Sequence, residues 1–461
     1  MKLTLQDLLC VGHTAMWNID RLNGRAFTGV STDSRSVGSG ELFFAIRGES
    51  LDGHQFVETA FRRGAACAVV DRRADIHAYR HRPFLVVHDT TKAYGRLANI
   101  YRKKFNIPFL AVAGSNGKTT TKEMIAKVLK SRYTVLSTEG NLNNHIGVPR
   151  TLFRLHAGYE LAVVEVGTNH FGELENLCSI LEPTHGLITN VGREHLEFFK
   201  TLGGVAKAEG ELFEALGTNG TGFVNADDRR VASQAARLRR RVSYGFAKGS
   251  IRGKIKGVGA NGCAEIVVNE RNRRPFTLRL RTPGLHAASN ALASSAVGLS
   301  FGVPAREIAR SLGSFPGVGK RMEVLRLRGM TMLNDTYNAN PDSVLSALRT
   351  LEQMRTAGKK IVVLGDMLEL GQTSASEHER IGRALNAMGF DHLLTYGRMA
   401  RLINRAAAMR AKRHFARKEE LSKALGEMAS SGDIILVKGS RGMKMEEVVH
   451  WMQQHSEKKN A

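Results

Sequence analysis

Cysteine is scarce in this chain. Its four residues, Cys10, Cys67, Cys178 and Cys263, are spread widely over 461 positions. They form no metal-type pair and no dense framework, which excludes a zinc ribbon or a disulfide scaffold and predicts reduced, packed thiols. Long apolar runs are missing too, so no membrane-spanning helix is expected and no membrane partner. The opening Met1-Lys-Leu-Thr-Leu-Gln-Asp7 has no signal-peptide pattern, which makes the cytoplasm the expected location. Aromatic residues are only 7% of the chain, and none interleave with the basic runs Arg237–Arg241, Arg252–Lys256, Arg271–Arg274 and Arg410–Lys418 in the manner of a single-strand binder. Acidic residues are outnumbered 43 to 67, for a formal net charge of +24. That surplus fits anionic small substrates and solvated faces, and nucleic acid is not the expected partner. Repeats and low-complexity tracts are absent.

The length calls for two to four domains. Short strands at Leu42–Ile46, Ala68–Val70 and Phe84–Val87, followed by a helix over Thr91–Phe105, make a first α/β region. From Phe109 strands and helices alternate through Leu161–Glu165, Gly186–Asn190 and Gly222–Asn225, the pattern of a parallel sheet. Residues 240–282 change to strand-like alternation with basic turns, read as an antiparallel appendage, and a helix over Ala287–Phe301 follows. After the break Phe315-Pro-Gly-Val-Gly319, strands at Thr331–Asn334, Lys360–Leu364, Leu393–Tyr396 and Asp433–Val437 predict a second doubly wound sheet.

The strongest single signal is Phe109-Leu-Ala-Val-Ala-Gly-Ser-Asn-Gly-Lys-Thr-Thr-Thr-Lys122, an apolar strand entering a glycine loop and then a helix. Gly114 and Gly117 allow backbone N–H groups to face an anion, the helix start favours negative charge, Lys118 reaches terminal phosphates, and the Thr119 hydroxyl suits Mg²⁺. Val112 stands where the longer form of this loop has a glycine, so this is the short variant. A nucleotide triphosphate bound by Gly114, Ser115, Asn116, Gly117, Lys118, Thr119 and Thr120 is expected. Glu165, ending an apolar strand, and the run Thr189-Asn-Val-Gly-Arg-Glu-His195 sit where parallel strands deliver ligand-facing residues. Glu165 is therefore a candidate Mg²⁺ ligand, and His195 is either a site residue or a structural histidine. Asn225 and Asp227 lie near the nucleotide or cap a helix.

Further runs give the chain a family resemblance: Ser31-Thr-Asp-Ser-Arg35, Leu42-Phe-Phe-Ala-Ile-Arg-Gly48 with Asp52-Gly-His54, Gly140–Pro149, Asn334–Ser343, Leu364–Gly371 and Val437–Met443. With the glycine loop they resemble the ATP-dependent Mur ligases of bacterial peptidoglycan synthesis, and in particular their D-alanyl-D-alanine-adding branch. The resemblance implies three α/β domains: residues 1–106 binding a UDP-sugar substrate, 107–314 binding ATP on a parallel sheet, and a doubly wound 315–461 closing on ATP and binding the incoming dipeptide. It implies an ATP-dependent carbon–nitrogen ligase, working as a monomer, that joins D-alanyl-D-alanine to UDP-N-acetylmuramoyl-tripeptide through an acyl phosphate, with two Mg²⁺ sites.

The same resemblance distributes roles. Ser31, Ser34, Arg35, Arg47, Asp52, His54, Asn143, Asn144, Asn340 and Ser343 are implied to contact substrates, Ser343 alternatively only starting a helix. Asn290, Arg321, Asp335, Tyr337 and Asn338 join the ATP site. Thr119 and Glu165 would hold one Mg²⁺, while His195 helps with a second. Relatives carry a carbamylated lysine on the next helix, and the aligned residue here is Glu209, which offers an anionic carboxyl group of its own; Lys207 competes for the role but points about 200° away around the helix. Lys118, Glu165, His195 and Glu209 are thus the catalytic candidates, and Gly317 and Gly319 the hinge. Two other readings are a ligase adding the third amino acid to a UDP-muramyl dipeptide and a nucleotide-binding regulator without chemistry.

Overall fold

The computed structural model describes residues 3–48, 51–74 and 81–457, and by its internal contacts the chain divides into two compact units. The first comprises Met1–Ala111, Tyr133–Thr168 and Gly172–His185; the second comprises Val112–Arg132, Asn169–Phe171 and Gly186–Ala461.

In the first unit a five-stranded sheet has the order Ala15–Trp17, Phe84–Val87, Cys67–Asp71, Leu42–Phe44, Val30–Ser31. Only the edge pair Ala15–Trp17 and Phe84–Val87 is antiparallel. Its three inner strands, Leu42–Phe44, Cys67–Asp71 and Phe84–Val87, are fully buried runs, as strands covered on both faces must be, and Phe43, Val70 and Phe84 pack against Ala60 and Phe61. Helix Thr90–Arg102 starts where Asp89 accepts the N–H groups of Thr91 and Lys92. Strand Val135–Ser137 pairs in parallel with Leu161–Glu165 in the same unit.

The second unit holds the glycine loop and two sheets. Thr221–Asn225, Arg240–Gly245 and Ile251–Val258 run parallel in sequence, then Cys263–Glu270 and Phe276–Pro283 return antiparallel. The expected appendage is therefore an extension of the parallel sheet. Arg240–Gly245 belongs to that sheet, and Ile251–Val258 was hidden from sequence reading because glycine and lysine dilute its alternation. The C-terminal sheet has the order Glu323–Leu327, Met330–Asp335, Ile434–Lys438, Lys360–Gly365, His392–Tyr396, Lys412–Phe415, antiparallel only at its first pair. Its core joins Met332, Ile361, Val363 and Leu394 to Ile435, Val437 and Val448. The two edge strands escaped the sequence reading, because exposed edges carry charges in place of an apolar run. No helix among the described residues is long and apolar enough to cross a membrane.

Candidate functional site

The glycine loop joins strand Phe109–Ala113 to helix Lys118–Leu129. Gly114 has φ +114°, and a Cβ there would lie 2.3 Å from Thr189 Oγ1 and 2.7 Å from the Thr189 backbone nitrogen. Gly117 has φ +81°, with a Cβ position 2.8 Å from Asn290 Oδ1. Both positions need glycine for conformation and for space. The loop is clamped from behind: Thr189 Oγ1 and Asn190 Nδ2 donate to the Asn116 carbonyl at 2.7 and 2.8 Å, and Gly192 N–H donates to Ser115 Oγ at 2.8 Å. No side chain caps the helix that follows. Its first turn, with the N–H groups of Thr119 and Thr120, is therefore where a helix start favours an anion.

Around the loop the second unit gathers ionisable groups. Lys118 Nζ donates to the Gly114 carbonyl at 2.5 Å and lies 3.5 Å from Glu194 Oε2. Glu209, 1% exposed, accepts the Gly114 N–H at 2.7 Å. Burial pushes its carboxyl up to about 8; Lys118 opposes that rise and Glu194 reinforces it. Lys207 is exposed, with its ammonium 5.8 Å from the Phe171 ring centre. The helix thus turns Glu209 to the loop and Lys207 away from it.

His195 adopts φ +48°, a left-handed conformation uncommon for a residue with a side chain. Its Nδ1 sits 2.6 Å from Glu369 Oε2 and its Nε2 3.8 Å from Glu194 Oε2. The imidazole beside Glu369 holds that carboxyl below its ordinary range. Glu194 and Glu369 were both missed as site residues, although each stood inside a run already singled out; position next to His195 was the available signal for Glu194.

The C-terminal loop Asp335–Asn340 meets the glycine loop directly. Asn340 Nδ2 donates to Asn116 Oδ1 at 2.9 Å, while Asn340 and Ser343 form a reciprocal cap on helix Pro341–Gln353. Ser343 is therefore engaged in that cap. One residue after Pro341, Asp342 receives the Arg193 N–H at 2.7 Å and its guanidinium at 2.8 Å. Lys438, 2% exposed and also missed in the sequence, donates to Asp335 Oδ2 at 2.6 Å and to the Asn338 carbonyl at 2.8 Å. The Arg321 guanidinium lies 3.7 Å from the Tyr337 ring centre. His286 is half-buried against Ser346, and loss of solvent lowers its pKa. Asn225 donates to the Thr189 carbonyl, and Asp227 accepts the N–H groups of Phe246, Ala247 and Lys248, so it closes a turn. The cap of helix Arg229–Gln234 is Asp228.

In the first unit, Glu165 is 1% exposed and its Oε1 accepts from Asn143 Nδ2 at 2.8 Å, leaving Oε2 buried without a partner. Asn144 Oδ1 accepts the N–H groups of Ile146 and Gly147, starting a helix. Ser31 Oγ and Asp33 hold a turn, Ser34 is buried, and Arg35 lies exposed with its guanidinium on Asp33, whose pKa falls to about 2 through that bond. Arg47, Asp52, His54 and Asp71 form one network. His54 Nε2 accepts the Asp71 N–H at 3.0 Å, so Nδ1 carries the proton it shares with Asp52 Oδ1 at 2.7 Å. Asp71 also takes Arg47 at 2.9 Å and Arg73 at 2.8 Å. These bonds tie two strand ends together.

The fit to Mg²⁺ rests on orphaned oxygens within each unit: Thr119 Oγ1 and Glu194 Oε1 in the second, and Glu165 Oε2 in the first, are buried without partners. Among the described residues no group of three or more His, Cys, Asp or Glu forms a ready-made metal cage. A hard cation held by one or two protein oxygens together with substrate phosphates needs none, so the donors fit Mg²⁺.

Comparison with known proteins gives a consistent picture. Residues 26–113 match the Mur ligase family, catalytic domain; residues 112–298 the Mur ligase middle domain; and residues 320–441 the Mur ligase, glutamate ligase domain. A UDP-N-acetylmuramoyl-tripeptide--D-alanyl-D-alanine ligase of Bacillus subtilis (strain 168) is 34% identical over 91% of this chain and 92% of its own length. The protein of that name from Escherichia coli (strain K12) is 36% identical over 92% and 94%. Among solved structures, MurF from Acinetobacter baumannii superposes with a TM-score of 0.89 at 30% identity, covering 98% of this chain and 99% of that one. MurF ligase from Thermotoga maritima in complex with ADP gives 0.85 at 28% identity, covering 94% and 98%. The glycine loop with its uncapped helix, the three α/β regions and full-length similarity above 30% identity have one meaning: this chain belongs to the Mur ligase family.

Proposed function

We propose that this chain joins D-alanyl-D-alanine to UDP-N-acetylmuramoyl-tripeptide with consumption of ATP, a step of peptidoglycan precursor synthesis in the cytoplasm. Full-length relatives carry that activity in their names, and the observation in the molecule that carries the reading is the Asn116–Asn340 bond. It sets the C-terminal loop on the phosphate loop, where an activated carboxylate and an incoming amine must meet. The same relatives disfavour the ligase adding the third amino acid, and the loaded set of ionisable groups around Lys118 disfavours a silent regulator.

In the proposed reaction the tripeptide's terminal carboxylate attacks the γ-phosphorus of ATP, forming a P–O bond as the bridging P–O bond to ADP breaks. The dipeptide amine then attacks the acyl carbon and phosphate leaves, the amine's extra proton passing to solvent. The first-turn amides of Lys118, Thr119 and Thr120 hold phosphate oxygens, and Lys118, folded onto Gly114 in this structure, reaches for the terminal phosphate. Thr119 and Glu165 are the proposed Mg²⁺ ligands, with His195 through Nε2 and Glu209 proposed for a second ion; bound there, Mg²⁺ would neutralise the crowded anionic oxygens. Glu369 at Nδ1 orients the His195 ring for that role. Asn290 abuts Gly117 on the nucleotide side, with Arg321, Asp335, Tyr337 and Asn338 proposed to complete the ATP site. Ser31, Ser34, Arg35, Asn143 and Asn144 are proposed to line the UDP-peptide site; Arg47, Asp52 and His54 shape it from behind. Closure of the C-terminal region on ATP is proposed to keep water from the acyl phosphate, with the Arg193–Asp342 pair as one of its contacts. Gly317, at φ +94°, is the proposed pivot together with Gly319, and the proposed domain limits are 1–106, 107–314 and 315–461.

Phosphate release measured with the two substrates varied independently tests this. Release should require ATP, the UDP-tripeptide and D-alanyl-D-alanine together. Release with a UDP-dipeptide and a single amino acid, or none with any pair, would reject the proposal.

A further inference from the structure

The incoming dipeptide carries a free carboxylate at the end remote from its reacting amine, and nothing described so far binds it. The loop Asp335–Asn340 has two functional ends. Asn340 touches the glycine loop, where the amine must arrive. Three residues earlier, the Tyr337 ring has Arg321 3.7 Å and Arg441 5.6 Å from its centre. Three residues span at most about 11 Å and an extended dipeptide about 7 Å, so a dipeptide with its amine at the Asn340 end has its carboxylate within reach of Arg441.

Arg441 follows strand Ile434–Lys438, at the strand end where open parallel sheets place ligands. Its backbone is fixed, the N–H donating to Asn338 Oδ1 at 3.3 Å, but its side chain is 60% exposed. Charge at this point is unbalanced. Arg441 and Lys320 share the carboxylate of Glu446, at 3.2 and 3.0 Å, and the Arg321 side chain donates no hydrogen bond among the described residues. An exposed guanidinium braced by a ring and one partial partner retains a free fork of N–H donors, the geometry that takes a carboxylate through two parallel bonds.

We infer that Arg441, braced by Tyr337 and Glu446, binds the terminal carboxylate of the incoming D-alanyl-D-alanine and so selects an amine donor that ends in a free acid. The inference rests on the proposed function and names the contact within that site. The same fork chemistry suits an ATP phosphate, and the test separates the two sources.

Steady-state phosphate release would be measured for the full chain and for Arg441→Met and Arg441→Lys, with D-alanyl-D-alanine and with its C-terminal amide. For the unaltered chain the acid should be much the better substrate. Arg441→Met should raise the KM for D-alanyl-D-alanine about 10- to 100-fold and abolish the preference for acid over amide, as loss of a charged hydrogen-bond pair predicts. Arg441→Lys should recover part of both, and the KM values for ATP and UDP-tripeptide should stay within about twofold. An unchanged dipeptide KM, a preserved acid preference, or a rise confined to the KM for ATP would overturn the inference while leaving the ligase function standing. Failure of the unaltered chain to use D-alanyl-D-alanine at all would reject the functional reading itself. Because the side chain is exposed, the variants should melt with the parent; should Arg441→Met unfold, the acid-to-amide ratio of Arg441→Lys decides.

Discussion

Replacing Glu209 by glutamine should stabilise the fold while removing activity. The carboxyl is 1% exposed, accepts the Gly114 N–H at 2.7 Å and is crowded by Glu194, and burial pushes its pKa from 4.5 to about 8. A carboxyl whose folded pKa is raised stabilises the folded state fully below its unfolded pKa and loses that contribution as pH climbs to the folded value. At 1.36 kcal/mol per decade, ionisation is opposed by as much as about 5 kcal/mol once the pH reaches 8. Glutamine keeps an oxygen for Gly114 and has no charge to bury. Compared by urea denaturation in EDTA, the two proteins should match near pH 5, and the variant should become progressively more stable between pH 6 and 8, by roughly 2–5 kcal/mol at the top of that range. Phosphate release with Mg²⁺ present should fall at least 100-fold, because an amide oxygen cannot supply the missing charge. A stability gap that does not grow with pH would refute the reasoning about burial, and near-normal activity would refute the assignment of Glu209 to the metal.

Three other substitutions probe separate parts of the argument. Lys207→Ala, at an exposed side chain on the opposite helix face, should leave phosphate release within about twofold with or without added bicarbonate; strict bicarbonate dependence would move the role to the lysine. Asp71→Asn weakens the carboxylate's bonds to Arg47 and Arg73, costing about 1.5–3 kcal/mol at pH 7. Those bonds hold the Asp71 carboxyl well below its ordinary range against the cost of burial, so the difference should be full above about pH 4 and shrink as the pH falls further; a difference that persists unchanged in acid would count against it. Gly317→Ala forces a side chain into φ +94° at a cost of about 1–2 kcal/mol. It should lower kcat more than it changes the KM for ATP, and unchanged turnover would exclude a hinge at that residue.

The local pattern alone determined a good deal of this protein. An apolar strand, two glycines, a lysine and hydroxyls form few local structures, so the strand–loop–helix around Gly114–Thr119 was legible before any fold was known. Parallel strands buried on both faces read plainly for the same reason: Leu161–Glu165 and Phe84–Val87 are continuous apolar runs with the same limits in sequence and structure. Helical periodicity separated Glu209 from Lys207. Edge strands such as Lys412–Phe415 did not show, because half their residues face water and carry charge.

Partners distant in sequence were decided by tertiary structure. That Glu209 reaches Gly114 across 95 positions, that Glu369 meets His195, and that Asn340 bonds Asn116 across 224 are consequences of how helices and sheets pack. No window of residues encodes them. The same packing engages Asp52, His54 and Ser343 in hydrogen bonds of their own and sets Glu194 beside Lys118 and Lys438 beside Asp335. Residue types around the glycine loop pointed to phosphate; which groups lose water or share a hydrogen bond was decided only by how distant segments pack, because burial depends on neighbours that no local run contains.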